Sequence, residues 1–289
     1  MRPVHGPSHA FIRREETRVY RDIGLEEGGR SRRSEIVMRL AGLGLGLLVL
    51  SGQALAGPPF FTDDPEPVGK GHGEFYIASQ HSWSHDDRAG TAPHFEFNYG
   101  PTRPIQLHLI LPLAYDRPDD AGETEYGYGD TELGVKWRAV DEDQWFGGCP
   151  QIGTFPLVEL PTGDVDRGLG NGKAQTFLPL WLQKSWGDEN RPWTAYGGGG
   201  YWWHPGTDNR DYWFTGVLLQ KQVSDALTLG GEVFHTTPDA KDADSHTGFN
   251  LGGIYDFSEQ RHFLISAGRD FDGDTQLTAY VGLQFTWGP

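Results

Sequence analysis

Glu132, Lys136 and Arg138 fall on one face of a segment whose other face carries Thr131, Leu133, Val135 and Trp137. A carboxylate with two cations at alternate positions can discriminate between ions, provided that face is turned toward an enclosed aqueous space. The same separation recurs elsewhere. Phe95, Phe97 and Tyr99 alternate with His94, Glu96 and Asn98, and Ile105, Leu107, Leu109, Leu111 and Leu113 alternate with residues that include Gln106 and His108. Glu74, Glu232 and Asn250 fall on interior faces by the same count. These eleven residues are expected to line a lumen, either as a selective constriction or paired with one another so that they close it.

Other residues could do different chemistry. In the segment 161–173, Asp164 and Asp166 stand two apart among glycines, a spacing that offers oxygen ligands to Ca²⁺ but lacks the twelve-residue pattern and terminal Glu of an EF-hand. A solvated acidic loop is the favoured reading. His81, His85, Asp86 and Asp87, with Ser82 and Ser84 beside them, suggest a metal site or a Ser-His hydrolase acting on lipid. On a loop this spacing fixes no common face, and a nucleophile needs its base within hydrogen-bond reach. No metal or cofactor is expected. The single Cys149 cannot form an intramolecular disulfide.

The elements that must position these groups are strands. Residues 277–287 alternate without a break: Leu277, Ala279, Val281, Leu283, Phe285 and Trp287 point one way, and Thr278, Tyr280, Gly282, Gln284 and Thr286 the other. A final strand with one apolar face and a terminal aromatic suits closure of a membrane barrel. Period-2 segments bounded by Gly, Pro, Asp and Asn give twelve strands: 73–83, 91–99, 104–115, 128–139, 150–160, 174–186, 192–203, 210–221, 225–236, 245–257, 261–270 and 275–287. The connections alternate in length, long after most odd strands and tight after most even ones, with 140–149 and 271–274 as exceptions. That is the pattern of external loops and periplasmic turns. The fold class expected is all-β, an antiparallel transmembrane β-barrel of about twelve strands.

Aromatics gather near strand ends: Trp83, Tyr99, Tyr115, Tyr128, Trp186, Trp193, Tyr201, Trp202, Trp203, Tyr212, Trp213 and Trp287 are expected to form two interfacial girdles. The run Gly197 to Gly200 inside a strand marks either a kinked wall or a place where something inside the barrel presses on it.

A mean hydropathy of −0.53 does not oppose a membrane barrel, because the apolar band occupies only alternate positions. The one continuous apolar run, Leu40 to Leu50, follows Arg32, Arg33 and Arg39 and precedes Ala54 and Ala56. It is too short to span a bilayer and reads as a secretory signal cleaved after Ala56. Residues 1–56 are therefore expected to be leader and signal peptide, with a true start at Met38 or, alternatively, a real extended leader. Residues 57–72 form a Pro-rich acidic segment, a lumenal plug or a loose periplasmic tail, and 73–289 the barrel. Cleavage leaves 15 Lys+Arg against 34 Asp+Glu, a formal charge of −19, which excludes nucleic acid as a partner.

Several stretches resemble one family: G-P-P-F-F-T-D-D-P-E (57–66), G-T-A-P-H (90–94), Y-G-Y-G-D-T-E-L-G-V-K (126–136), E-L-P-T-G (159–163), L-W-L-Q-K-S (180–185) and Y-G-G-G-G-Y (196–201). They are similar to the outer-membrane transporters grouped as the "MetA-pathway of phenol degradation" family, over essentially all of 57–289. The resemblance implies an outer-membrane barrel of a Gram-negative bacterium, passing small aromatic or other hydrophobic molecules without catalysis. A closed structural barrel and a lipid-acting hydrolase stand as alternatives. Expected partners are outer-membrane lipid, small-molecule solutes and the barrel assembly machinery through the C-terminal strand.

Overall fold

The computed structural model describes residues 57–84, 87–118, 123–142, 148–241, 243–272 and 277–289. The expected leader and signal peptide lie outside the described residues, as do His85 and Asp86.

Alternating sequence builds strands, and each strand finds its hydrogen-bond partners in its chain neighbours. The first five are β1 (Gly73–Trp83), β2 (Asp87–Thr102), β3 (Ile105–Pro118), β4 (Glu125–Tyr128) and β5 (Thr131–Val140). Then come β6 (Gln151–Thr154), β7 (Leu157–Leu160), β8 (Gln175–Asp188), β9 (Arg191–Trp203) and β10 (Tyr212–Ser224). The last four are β11 (Leu227–Thr236), β12 (His246–Ser258), β13 (Arg261–Asp270) and β14 (Leu277–Trp287). All pairings are antiparallel, and β1 pairs with β14 from Gly73↔Trp287 to Trp83↔Leu277, which closes the sheet.

Two staves of the barrel are interrupted. β4 and β5 both pair with β3, and β6 and β7 both lie between β5 and β8, so the fourteen strands form twelve staves. The second break falls at Phe155 and Pro156. Proline has no N–H to give the ladder, and the Val135 N–H reaches across the gap to the Pro156 carbonyl at 3.1 Å.

The expected strands match the observed ones closely, apart from these breaks and from β2 and β3. Those two run outward to Asp87 and Pro118, paired to each other past the expected loop 84–90. Backbone hydrogen bonding continues there without any need for lipid, so hydropathy gave no sign of it.

Faces separate as the alternation requires. Leu133, Val135, Leu180, Val217, Val233 and Leu251 point outward and are exposed, whereas polar residues on the other parity are buried inside. Exposed Tyr99, Trp137, Trp186, Trp193 and Trp287 sit at the short-turn end, and exposed Tyr128, Trp203 and Trp213 at the long-loop end. Trp202 and Tyr212 correct the girdle expectation: each is 1 % exposed and faces the interior.

They belong to a slab of Phe155, Phe177, Trp181, Trp202, Tyr212, Phe214 and Phe234, which fills one side of the barrel. The interior therefore carries this slab, and a smaller apolar cluster of Tyr76, Ala78, Ile254, Leu264 and Tyr280, beside its polar groups rather than being polar throughout. The glycine run of β9 serves this slab. A Cβ at Gly200 would overlap the Phe177 ring, and one at Gly198 would press on the Leu180 backbone and on Trp181. At Gly198 and Gly200 the interior reading is observed, with the neighbouring strand β8 as the source, whereas at Gly197 and Gly199 a Cβ would meet the backbone of β10.

Candidate functional site

All eleven lumen candidates are placed on inward-facing positions. Glu74, His94, Glu96, Asn98, Gln106, His108, Lys136, Glu232 and Asn250 are each 9 % exposed or less, and Glu132 and Arg138 are partly buried. They do not form one ring. The structure sorts them into a wall network, two anchoring points and a cation pair.

The wall network runs across β1, β2, β3 and β5, where the register brings inward residues of neighbouring strands level. Tyr76 donates to Glu74 at 2.9 Å, and Asn98 donates to Glu96 at 2.8 Å. His108 places Nδ1 2.7 Å from Asn98 Oδ1 and Nε2 2.8 Å from Glu132 Oε1. Gln284 of β14 donates to the Tyr76 hydroxyl at 2.7 Å, joining the closing strand to the network.

Of the other candidates, His94 pairs with the Thr91 hydroxyl at 2.7 Å, and Gln106, Lys136, Arg138, Glu232 and Asn250 hold the N-terminal segment inside the barrel, so of its two readings the lumenal plug is the one observed. Glu232 accepts the backbone N–H groups of Phe61 and Thr62 at 2.8 and 2.7 Å, and Asn250 donates to the same carboxylate at 2.6 Å. Lys136 meets Asp63 at 2.9 Å and Asp64 at 3.0 Å, while Arg138 meets Glu66 at 3.2 Å. Gln106 accepts the Val68 N–H at 2.9 Å. On the far wall Ser266 donates to the Pro59 carbonyl at 2.5 Å.

The segment thus climbs from the short-turn end, where Glu66 lies, to mid-lumen at Thr62 and onward to Pro58. Phe61 packs edge-on against Phe234 of the slab with ring centroids 5.0 Å apart. Inward-facing Gly216 leaves the space that Thr62 occupies, since a Cβ there would overlap its hydroxyl. Burial pushes the Asp64 carboxyl up to about 8, with Lys136 pulling it down and Asp63 adding to the rise.

Sequence reasoning singled out the wall residues but not their partners Asp63, Asp64 and Glu66, nor Gln151 and Gln183, which also donate to Glu66. The acidic, Pro-rich composition of 57–71 was the available signal, and it carries no periodicity from which contacts could be read.

Above the plug, on the long-loop side, lies a vestibule of about 550 Å³ floored by Pro58 to Phe61. Glu96, Asp130, Glu132 and Glu159 face it. Its roof includes the segment 161–173, which Asp130 fastens by accepting the Gly163 and Asn171 N–H groups at 2.8 and 2.7 Å. Leu169, 4 % exposed, turns into the mouth.

Among the described residues, which leave out His85 and Asp86, the competing chemistries do not assemble. Asp164 caps a short 3₁₀ turn (Val165–Arg167) by accepting the Asp166 N–H, and among the described residues no cluster of His, Cys, Asp and Glu is arranged to hold a metal. His81 Nδ1 lies 2.8 Å from the Tyr115 hydroxyl, whereas Ser82 donates to the Ala89 carbonyl. Adjacent strand residues point to opposite faces, so Ser82 and His81 do not form a nucleophile–base pair.

Solved structures of outer-membrane proteins share the architecture. The structure of the COG4313 outer membrane channel from Pseudomonas putida F1 superposes with a TM-score of 0.63 at 16 % identity, over 78 % of this chain and 98 % of that one. The NanC porin gives 0.50 at 6 % identity, over 73 % of this chain and 98 % of that one. At these identities the likeness shows the fold. No curated protein sequence matches the chain. A family model described as "Putative MetA-pathway of phenol degradation" matches residues 79–287, from within β1 to the last residue of β14. The chain, an outer-membrane-type β-barrel with its N-terminal segment docked in the lumen, belongs to that family.

Proposed function

We propose that the protein is an outer-membrane channel through which small molecules diffuse passively, with the N-terminal segment as the restriction in its path. One observation carries this reading. The lumen is obstructed by residues 57–68, held by ion pairs and hydrogen bonds that water can replace, and a chamber of about 550 Å³ opens directly above them. The apolar outer face and its two aromatic belts suit a bilayer, and the fold supports the outer membrane of a Gram-negative bacterium as its location. The family description points to small aromatic compounds as the solutes. Catalysis is not part of the proposal, and selective diffusion accounts for the geometry.

The second reading is a closed structural barrel. It is favoured by the aromatic slab, whose buried side chains occupy part of the lumen. Single-channel recording of the protein purified from outer membranes separates the two when the Gly216→Val variant, whose side chain needs the space of Thr62, is recorded beside it. Discrete steps in the parent, larger or more frequent in the variant, are expected. No current in either would sink the channel reading.

A further inference from the structure

We infer that the lumen wall behind the plug is a binding site for an aromatic carboxylate, and that the N-terminal segment fills it as an internal ligand which a soluble one displaces. This rests on the channel reading only for what displacement does to passage.

The first support is the way the wall receives a carboxylate. Arg138 donates to Oε1 of Glu66 at 3.2 Å, and Gln151 and Gln183 donate to Oε2 at 3.3 and 3.1 Å, so each oxygen has its own donors. The two glutamines stand directly opposite each other across the β6–β8 ladder, which sets their amides side by side. Asp141 holds the other terminal nitrogen of Arg138 at 3.2 Å and keeps the guanidinium oriented whether or not Glu66 is present. Gly153, paired with Arg138, leaves a hollow in the wall that the plug fills: a Cβ there would come within 2.9 Å of Pro65. Two residues along the same face of β5, Lys136 meets Asp63 and Asp64.

Second, the cations adjoin the aromatic slab. The Lys136 ammonium lies 5.0 Å from the centre of the Phe155 ring, a member of that slab. Phe61 of the plug packs against Phe234 of the same slab, one residue before Thr62 and two before Asp63. The segment thus sets an aromatic ring on the slab and carboxylates on the cations. A small molecule that carries both groups offers the wall the same two contacts, and it does so without the cost of ordering a peptide segment.

Third, burial couples departure of the plug to arrival of another anion. The Lys136 side chain is 4 % exposed, and a buried ammonium stripped of its partner is strongly unfavourable. A carboxylate that binds the vacated wall and not the seated state draws the equilibrium toward the unseated one by its differential affinity. Its way in is the short-turn end, where the Glu66 side chain is 34 % exposed while that of Asp64, deeper in the lumen, is 1 % exposed. The acids of the vestibule lie beyond the plug, so an anion arriving from this end does not cross them.

Isothermal titration of the detergent-solubilised full chain tests the site without needing passage. Benzoate is the probe, with acetate and benzyl alcohol as the carboxylate and the aromatic body taken separately. Because the plug competes in the parent, benzoate should bind at least about tenfold more tightly when the plug acids are neutralised together, Asp63→Asn with Asp64→Asn and Glu66→Gln. Gly216→Val, which displaces Thr62 and leaves those acids in place, should tighten binding in the same direction. In the neutralised background Lys136→Gln and Arg138→Gln should each weaken benzoate by at least about tenfold, and acetate and benzyl alcohol should bind at least about tenfold more weakly than benzoate. Retained folding of each variant is read from the heat-dependent shift in its gel mobility. No benzoate binding to the folded neutralised variant, equal affinity in the parent and both freed variants, undiminished affinity after Lys136→Gln, or acetate binding as tightly as benzoate would overturn the assignment whatever the current recordings show. Competitive binding without current would sink the channel and leave the site standing.

Discussion

Lys136 touches two carboxylates of the N-terminal segment, so its effect on charge in the lumen depends on whether that segment is seated. Removing one partner of a buried ion pair leaves the other desolvated and unmatched, at a cost of about 3–5 kcal/mol. Lys136→Gln should therefore unseat the plug while the barrel stays folded, measured as proteolytic loss of residues 57–68 from an intact heat-modifiable barrel. Equal protection of the segment in parent and variant would contradict the anchoring role.

Asp64 adds a pH dependence at the same scale. Its carboxyl is raised by burial from 3.8 to about 8, so below that pH the seated segment holds Asp64 as a protonated carboxyl beside Lys136, which keeps Asp63 at 2.9 Å as its other partner. Stability from that shift is complete below the ordinary carboxylate range, declines as pH rises, and is lost once pH passes through about 8. Current fluctuations from plug movement should grow between about pH 6 and about pH 9 and show no such trend in Asp64→Asn. The groups facing it are Asp63, Lys136 and Tyr196.

Among the elements, β8 and β9 depend on each other through missing side chains. Trp181 enters the slab opposite Gly198, and the Phe177 ring, stacked on Trp202 across the ladder, reaches over the bare Gly200. Gly200→Leu forces the Phe177 ring out of a packed interior, an overpacking cost of about 1–3 kcal/mol, seen as a lower unfolding temperature. An unchanged unfolding temperature in that variant would refute the assignment of pressure to the interior. Element positions were largely readable from sequence, because alternation and turn residues mark strands locally. The two broken staves were not: Phe155-Pro156 sits inside the expected strand 150–160, and most of β4 falls in the connection before the expected strand 128–139, with Gly129-Asp130 at that strand's start.

For the molecule as a whole, the outer surface must be uniformly apolar at mid-height while the inner one is free to differ around the circumference. Leu180→Arg, near the middle of β8 and 54 % exposed, should cost about 2–4 kcal/mol in urea unfolding from lipid vesicles. The inward Gln183→Arg should cost less in that assay, because its neighbour Glu66 is acidic. Similar penalties at both sites would mean that the faces of β8 are misassigned.

What the sequence by itself determined is the set of local periodicities: the strands, the parity that separates Glu132, Lys136 and Arg138 from Leu133, Val135 and Trp137, the alternation of turns and loops, and the acidic balance. These follow from the two-residue repeat of a strand and need no knowledge of distant residues. The tertiary structure decided the rest. In β8 both parities are apolar over Phe177 to Leu182, so alternation could not tell which face held the slab, and only the glycines across the ladder settle it. Residues 57–68 have no periodicity, and their place in the lumen comes from contacts such as Thr62 with Glu232, 170 residues apart. Which lumen charges remain available was decided by that docking. An ion pair fixed across such a separation leaves no trace in local sequence, and it is what turns a wall of mixed charge into an acidic chamber.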